Sequence, residues 1–308
     1  MSKSKRFNPS KSNPSFFPES LRKRLSDDLQ LQGMADRTVK AYVRAVRQLA
    51  EFLKRSPEEV CDDHIREYFL HLKNDRRFAN GSLRVSLAGI RFFYRNTCRR
   101  EFPSLDLLRL QSINALPEVI TIKQVHQIVD ATTTLRMRTY FWTVYSLGLR
   151  LNEGLHLQVG DIDAARGLVH IHRGKGAKDR YITLPTSTLL MLREYWVTHR
   201  NKRWLFPADG RNHTLAKKGV SVAKTPMSEA AVQGAMKLIT TKIDFGKKVS
   251  LHTLRHSYAT HLLEAGVSLK FIQQALGHSS LQTTMIYLHL SETGEANARQ
   301  VIEKIFVR

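Results

Sequence analysis

The run HTLRHSYATHLLEAGVSLKFIQQALGHSSLQTTMIYLHL, from His252 to Leu290, carries the most information in the chain. Its apolar spacing predicts three consecutive helices, at 253–265, 269–276 and 281–290. Gly277 follows the second directly, the residue type that most readily ends a helix. His252 and Arg255 stand at i, i+3 and share one helical face. An imidazole beside a guanidinium fork suits a phosphodiester, which needs paired donors for its non-bridging oxygens and a group that can move a proton. His252 and His256 also have the i, i+4 spacing of two zinc ligands. The zinc-protease version places Glu after the first His, where Thr253 stands here, and Arg255 would repel a cation at the same mouth. No metal is expected at this pair. Spacing alone assigns His278 and Tyr287 to core or surface.

Upstream, the period changes to two. Val169 and Ile171 lead into Gly174-Lys175-Gly176, and Ile182 and Leu184 follow, which predicts a β-hairpin with a lysine in its turn. Helical patterns surround it at 122–132, 135–147, 187–198 and 228–241. Four more fill the N-terminal part, at roughly 19–32, 38–55, 65–74 and 82–97. Two of these carry basic stripes: Lys40, Arg44 and Arg47 on one, Arg84, Arg91 and Arg95 on the other. Each stripe has the spacing at which a helix meets a row of phosphates, and these six residues are candidate DNA contacts. The stretch from Glu101 to Pro117 is less periodic and reads as linker. The expected fold is mainly α with a small β-sheet. Residues 1–15 form a basic tail, 16–110 an all-helical domain, 111–121 the linker and 122–308 an α+β domain.

Composition narrows the function. Among 308 residues, 49 Lys+Arg against 27 Asp+Glu leave a net charge of +22, which points to a polyanionic partner, nucleic acid before membrane. The two cysteines, Cys61 and Cys98, cannot build a disulfide framework or a four-cysteine zinc site. The longest apolar runs fall short of a membrane span. The segment 1–15 holds Lys3, Lys5, Arg6 and Lys11 without an apolar stretch, unlike a secretory signal. A reducing cytoplasm, in association with the nucleoid, is the expected compartment.

Three ordered patches resemble the tyrosine recombinases, the phage-integrase and Xer-type strand-exchange enzymes. The run 252–290 is similar to that family's C-terminal signature, Gly148-Leu149-Arg150-Leu151-Asn152-Glu153 to its first arginine box, and Arg173 to Arg180 to its hairpin lysine. The helical N-terminal part is similar in size and pattern to the family's core-binding domain. The resemblance implies an α+β catalytic domain and six catalytic residues. Tyr287 is the implied nucleophile, Arg150 and Arg255 the clamp on the non-bridging oxygens, and Lys175 the acid for the leaving 5′-oxygen. His252 is implied in proton transfer with the tyrosine and His278 as a donor to the phosphate. No cofactor is implied, since a phosphotyrosyl link conserves the bond energy. The implied partners are duplex DNA sites, on which a homotetramer assembles and clamps, with a second recombinase or accessory factor left open.

Glu153 and Asp161 are expected to brace Arg150 and its neighbours, and His156, His170, His172, His256, His261 and His289 to pack or face solvent. The amphipathic end, Ala296 to Val307, is expected to dock on a neighbouring protomer. Leu147 and Leu288 depart from the family's usual residues without changing a reacting group. The stretch Trp204 to Ser228 lacks the tryptophan-bearing insertion of integron integrases, and the N-terminal half lacks an arm-binding domain. Two other readings stay open: a type IB topoisomerase, and a catalytically silent DNA-binding regulator.

Overall fold

The computed structural model describes residues 16–110, 116–172, 179–209 and 219–288. The basic tail, Lys175, Lys217, Lys218, His289 and the amphipathic end lie outside the described residues. The chain divides into two compact units, Met1–Asn114 and Ala115–Arg308.

Among its described residues the first unit has helices and no strand: α1 (Glu19–Leu31), α2 (Asp36–Leu53), α3 (Asp62–Asn74), α4 (Asn80–Phe92) and α5 (Pro103–Leu107). The apolar period of α2 becomes its buried stripe of Val39, Val46, Leu49 and Ala50. Against it lies α4, and Gly89 permits the close approach: a Cβ there would stand 2.9 Å from the Tyr42 Cα. Backbone cannot yield as a side-chain tip can. Gly89→Ala is therefore expected to lower the stability of this unit by about 1–3 kcal/mol, read from the urea midpoint of the full chain. After Phe92 the helix widens into a π-helical turn, Phe93–Cys98, which buries Phe93, Tyr94 and Thr97 together.

The linker expected from Glu101 onward begins later. Pro103 opens α5 at a position where its missing N–H costs nothing. Phe102 and Leu105 enter the same core as α1–α4. Asp62 at the start of α3 accepts from Ser104 twice, from N–H at 3.0 Å and from Oγ at 2.6 Å. A five-residue helix is too short to show a period, so its sequence looked like a connection.

The second unit contains α6 (Ile122–Ala131), α7 (Leu135–Ser146), α8 (Leu151–Leu155), β1 (Ile162–Asp163), β2 (Leu168–Ile171), β3 (Arg180–Thr183), α9 (Thr186–His199), α10 (Glu229–Ile243), α11 (Leu251–Glu264), α12 (Leu269–Leu276) and α13 (Gln282–Met285). The sheet is antiparallel in the order β1-β2-β3, with His170 opposite Tyr181 and Ile171 opposite Arg180. Val169, Ile171 and Ile182 point into a core built on α7, while His170 and Tyr181 take the other face. A smaller cluster of Ala259, Ile272, Leu276 and Tyr287 joins α11 and α12 to the segment after α13.

The third helix expected at 281–290 is only four residues long, and Tyr287 falls in the turn beyond it. There the Tyr287 N–H donates to Thr284 O at 3.1 Å, three residues back, where an α-helix would reach four. Among the described residues, no helix is long and apolar enough to cross a membrane.

Candidate active site

Glu153 is the centre on which the site is assembled. It sits in α8, just after the Gly148-Leu149-Arg150 turn, with its side chain 7% exposed. Gly148 has φ 59°, and a Cβ there would lie 2.4 Å from the Tyr258 ring, so only glycine fits the turn that delivers Arg150. Glu153 accepts the Arg150 backbone N–H at 2.9 Å and the Arg150 Nη1 at 2.7 Å. Arg180, from the start of β3, donates Nη1 and Nη2 to its two oxygens at 3.0 and 2.8 Å. Arg255 Nη1 from α11 stands 3.6 Å from the same carboxylate.

The three guanidiniums also share the end of α12. Arg180 Nε donates to Ala275 O at 2.9 Å, Arg255 Nη2 to Leu276 O at 2.6 Å, and Arg150 Nη2 to Gly277 O at 3.2 Å. Arg255 Nη1 adds Gly148 O at 2.7 Å. The last carbonyls of a helix lack intrahelical partners and carry the negative end of its dipole, so cations belong there. Gly277 closes α12 at φ 63°, and a Cβ on it would meet Arg180 Nη1 at 2.9 Å.

Tyr287 and His278 complete the cluster. The Tyr287 side chain is buried, the residue 1% exposed, and its hydroxyl lies 3.0 Å from His256 Nδ1. Its ring is stacked with that of His278, centroids 6.4 Å apart and planes at 13°. His278 Nδ1 is 2.9 Å from Thr284 Oγ1. His252 lies one turn before His256, ring centroids 6.2 Å apart, on the exposed side of α11.

Burial and the arginine charges set the protonation states. Burial alone would raise the Glu153 carboxyl, but the hydrogen bonds and charge of Arg180, the Arg150 N–H and the charge of Arg255 outweigh it and hold it at about 2. Burial first, and Arg150 second, lower Arg255 to about 9, still a cation at neutral pH. Burial lowers His256 and His278 to about 4 each, helped at His256 by His252 and at His278 by Arg255. His252 moves down for the same reasons, burial first and Arg255 next. Burial raises the Tyr287 phenol, against the pull of Arg255 and Arg150. We assign the phenol as donor to a neutral His256.

Arg150, Arg255, His278 and Tyr287 thus meet in one place, with His252 on its rim; Lys175 lies outside the described residues. Arg180 and His256 are partners that sequence reasoning missed. Arg180 closes the hairpin motif, where the resemblance singles out Lys175 alone, and His256 is expected to pack or face solvent. Glu153 braces Arg150 as expected. Asp161 does not: it pairs with His172 at 2.7 Å.

Comparison with known proteins gives the same direction. The Phage integrase family matches residues 118–293, and the Phage integrase N-terminal SAM-like domain matches residues 21–104. The y4qK protein of Sinorhizobium fredii, named as an integrase/recombinase, is 33% identical over 88% of this chain and 84% of its own. Tyrosine recombinase XerA of Thermococcus kodakarensis is 30% identical over 90% of this chain and 94% of its own. In fold, the chain is similar to a lambda integrase dimer bound to a COC′ core site, with a TM-score of 0.67 at 16% identity over 88% of this chain and 94% of that one. With a family match over more than half its length and relatives of this identity along nearly all of it, the chain belongs to the phage integrase family and is a tyrosine recombinase, a DNA strand-exchange enzyme.

Proposed function

We propose that the chain cleaves and rejoins duplex DNA at paired recombination sites through Tyr287, with a 3′-phosphotyrosyl intermediate and a Holliday junction between two strand exchanges. The observation that carries this reading is the convergence of Arg150, Arg255, His278 and Tyr287, from four separate segments, around Glu153 and the end of α12. Tyr287 gives up its phenolic proton and attacks phosphorus; the 5′-oxygen leaves and takes a proton from Lys175. Arg150 and Arg255 hold the non-bridging oxygens of the pentacoordinate transition state, and His278 donates to the same phosphate. His256 orients the phenol, and His252 relays its proton. Attack by a 5′-hydroxyl reverses the step, so the bond energy is kept.

Residues 16–110 serve as the core DNA-binding domain and 122–308 as the catalytic domain, in a homotetramer on two sites, in a cytoplasm where DNA is accessible. Lys40, Arg44 and Arg47 are exposed along α2, Arg47 lying 3.8 Å from Glu51. On α4 and the turn after it, Arg91 and Arg95 pair with Asp106, and Arg84 donates to Leu110 O at 3.2 Å. Those three hold the α5 segment, so the α2 stripe is the better probe of phosphate binding. Replacing Lys40, Arg44 and Arg47 together with Gln is expected to reduce the slope of log affinity against log salt by roughly 3, one unit for each phosphate no longer neutralised, in fluorescence titrations on duplex DNA.

The reading is tested by trapping on nicked suicide duplexes drawn from DNA flanking the gene, followed by digestion and mass spectrometry. A DNA-linked peptide carrying phosphotyrosine at Tyr287 is the expected result. A footprinted site without any adduct would replace this reading with the silent regulator, and plasmid relaxation without strand exchange would replace it with the topoisomerase.

A further inference from the structure

The outward face of the sheet holds a second cluster of chemistry-bearing side chains, which strand exchange does not use. His170 lies on β2 and His172 just beyond the end of that strand, and their rings lie side by side on that face. Asp179 immediately precedes β3, and Asp161 closes the turn that leads into β1. Asp179 Oδ2 lies 3.2 Å from His170 Nε2 and 3.6 Å from His172 Nδ1. On the other side of the same ring, His172 Nε2 is 2.7 Å from Asp161 Oδ1. The imidazoles of His170 and His172 are 4.0 Å apart by centroid. One ligand atom each from Asp161, His170 and His172 falls within 4.8 Å of the others.

The hydrogen-bond polarity of this chain is informative. Asp161 is 6% exposed, and its second oxygen accepts the Gln158 N–H at 2.8 Å. It is therefore a fixed acceptor, and His172 Nε2 donates to it. In the neutral ring this leaves the Nδ1 lone pair facing a carboxylate oxygen of Asp179, two electron-rich atoms that a cation between them would reconcile. His170 Nε2 meets the same oxygen, and its ring is fixed by stacking on Tyr181 at 4.6 Å and 13°. A tetrahedral zinc ion with bonds of about 2.0–2.1 Å spaces its donors about 3.3 Å apart. The separations of 3.2 and 3.6 Å bracket that figure. A carboxylate behind a ligating imidazole is the usual outer partner of such a ligand.

We propose that His170, His172 and Asp179 bind one divalent transition-metal ion of the zinc class, with Asp161 orienting His172 from behind. The two carboxylates balance the ion's charge, and mixed imidazole and carboxylate donors favour zinc over calcium or magnesium. The His172 side chain is 44% exposed, which gives the ion a way in and leaves room for water as a fourth ligand. The site ties the two residues that flank the 173–178 segment and stands whether or not Lys175 acts in catalysis.

The test is equilibrium dialysis of the full chain against Zn²⁺, with Co²⁺ absorption in the visible as a coordination probe. One equivalent of Zn²⁺ is expected to be retained, and Co²⁺ to give the intense bands of tetrahedral N/O coordination. His170→Gln and His172→Asn should each weaken retention at least about 10-fold, and Asp161→Asn by a similar factor with the stoichiometry unchanged. Circular dichroism checks that each variant is folded. Failure to retain an equivalent, or equal retention by the folded His170→Gln/His172→Asn double variant, would overturn the proposal.

Discussion

Tyr287→Phe is expected to lose covalent attachment to DNA by at least about 10⁴-fold while keeping its affinity for the same duplex. The substitution deletes one oxygen and nothing else. The ring stays packed beside His278 and against the Ile272–Leu276 cluster, where the residue is 1% exposed. What disappears is the hydroxyl 3.0 Å from His256 Nδ1. Losing that hydrogen bond costs about 1 kcal/mol, with a further contribution from the unpaired imidazole nitrogen. Stability should thus move little and chemistry entirely. Adduct yield on suicide duplexes, paired with a binding isotherm and a urea melt, separates the two. Residual adduct above a hundredth of the wild-type yield would mean that another residue attacks.

Glu153→Gln is expected to produce the opposite pattern, with the fold suffering as much as the reaction. One carboxylate pairs with Arg150, Arg180 and Arg255 from 2.7 to 3.6 Å, in a pocket where the Arg255 side chain is 4% and the Arg180 side chain 10% exposed. Removing one partner of a buried ionic network costs about 3–5 kcal/mol, because the remaining charges stay buried. The same carboxylate imposes a pH dependence. Its value falls from 4.5 to about 2 on folding. Such a group contributes fully above 4.5, and its contribution is lost as pH falls through about 2. At about 1.4 kcal/mol per unit, that gap is about 3 kcal/mol. Urea midpoints of the wild type should therefore decline between pH 4.5 and 2, and Glu153→Gln should start lower and flatten that decline. A variant within about 1 kcal/mol of wild type at pH 7 would refute the central role of Glu153.

The second arginine box is legible because it is local: His252 and Arg255 share a helical face by spacing, and Gly277 marks a helix end. The first is legible through the family resemblance, and the turn at Gly148 that delivers Arg150 shows only in the structure. Periodicity likewise placed α2, α6, α7, α9 and α12 within a few residues. Long-range partners were not legible. Arg180 meets Glu153 across 27 residues and the end of α12 across 95, and nothing in its own neighbourhood encodes either pairing. His256 reads as packing because Tyr287 arrives from a turn 31 residues away. Short elements failed for another reason: α5, α8, α13 and β1 have two to five residues, less than a period needs to declare itself.

Glu153 has a further consequence, which is one of counting. Three guanidiniums and one carboxylate, with His256 and His278 neutral, leave the described pocket two positive charges in excess. A phosphodiester brings one negative charge and would leave the pocket still positive by one. A pentacoordinate phosphorane brings two and closes the sum. The surplus is matched to the species at the top of the barrier and mismatched to the one at its foot, which is the condition under which binding accelerates a reaction instead of merely retaining its substrate.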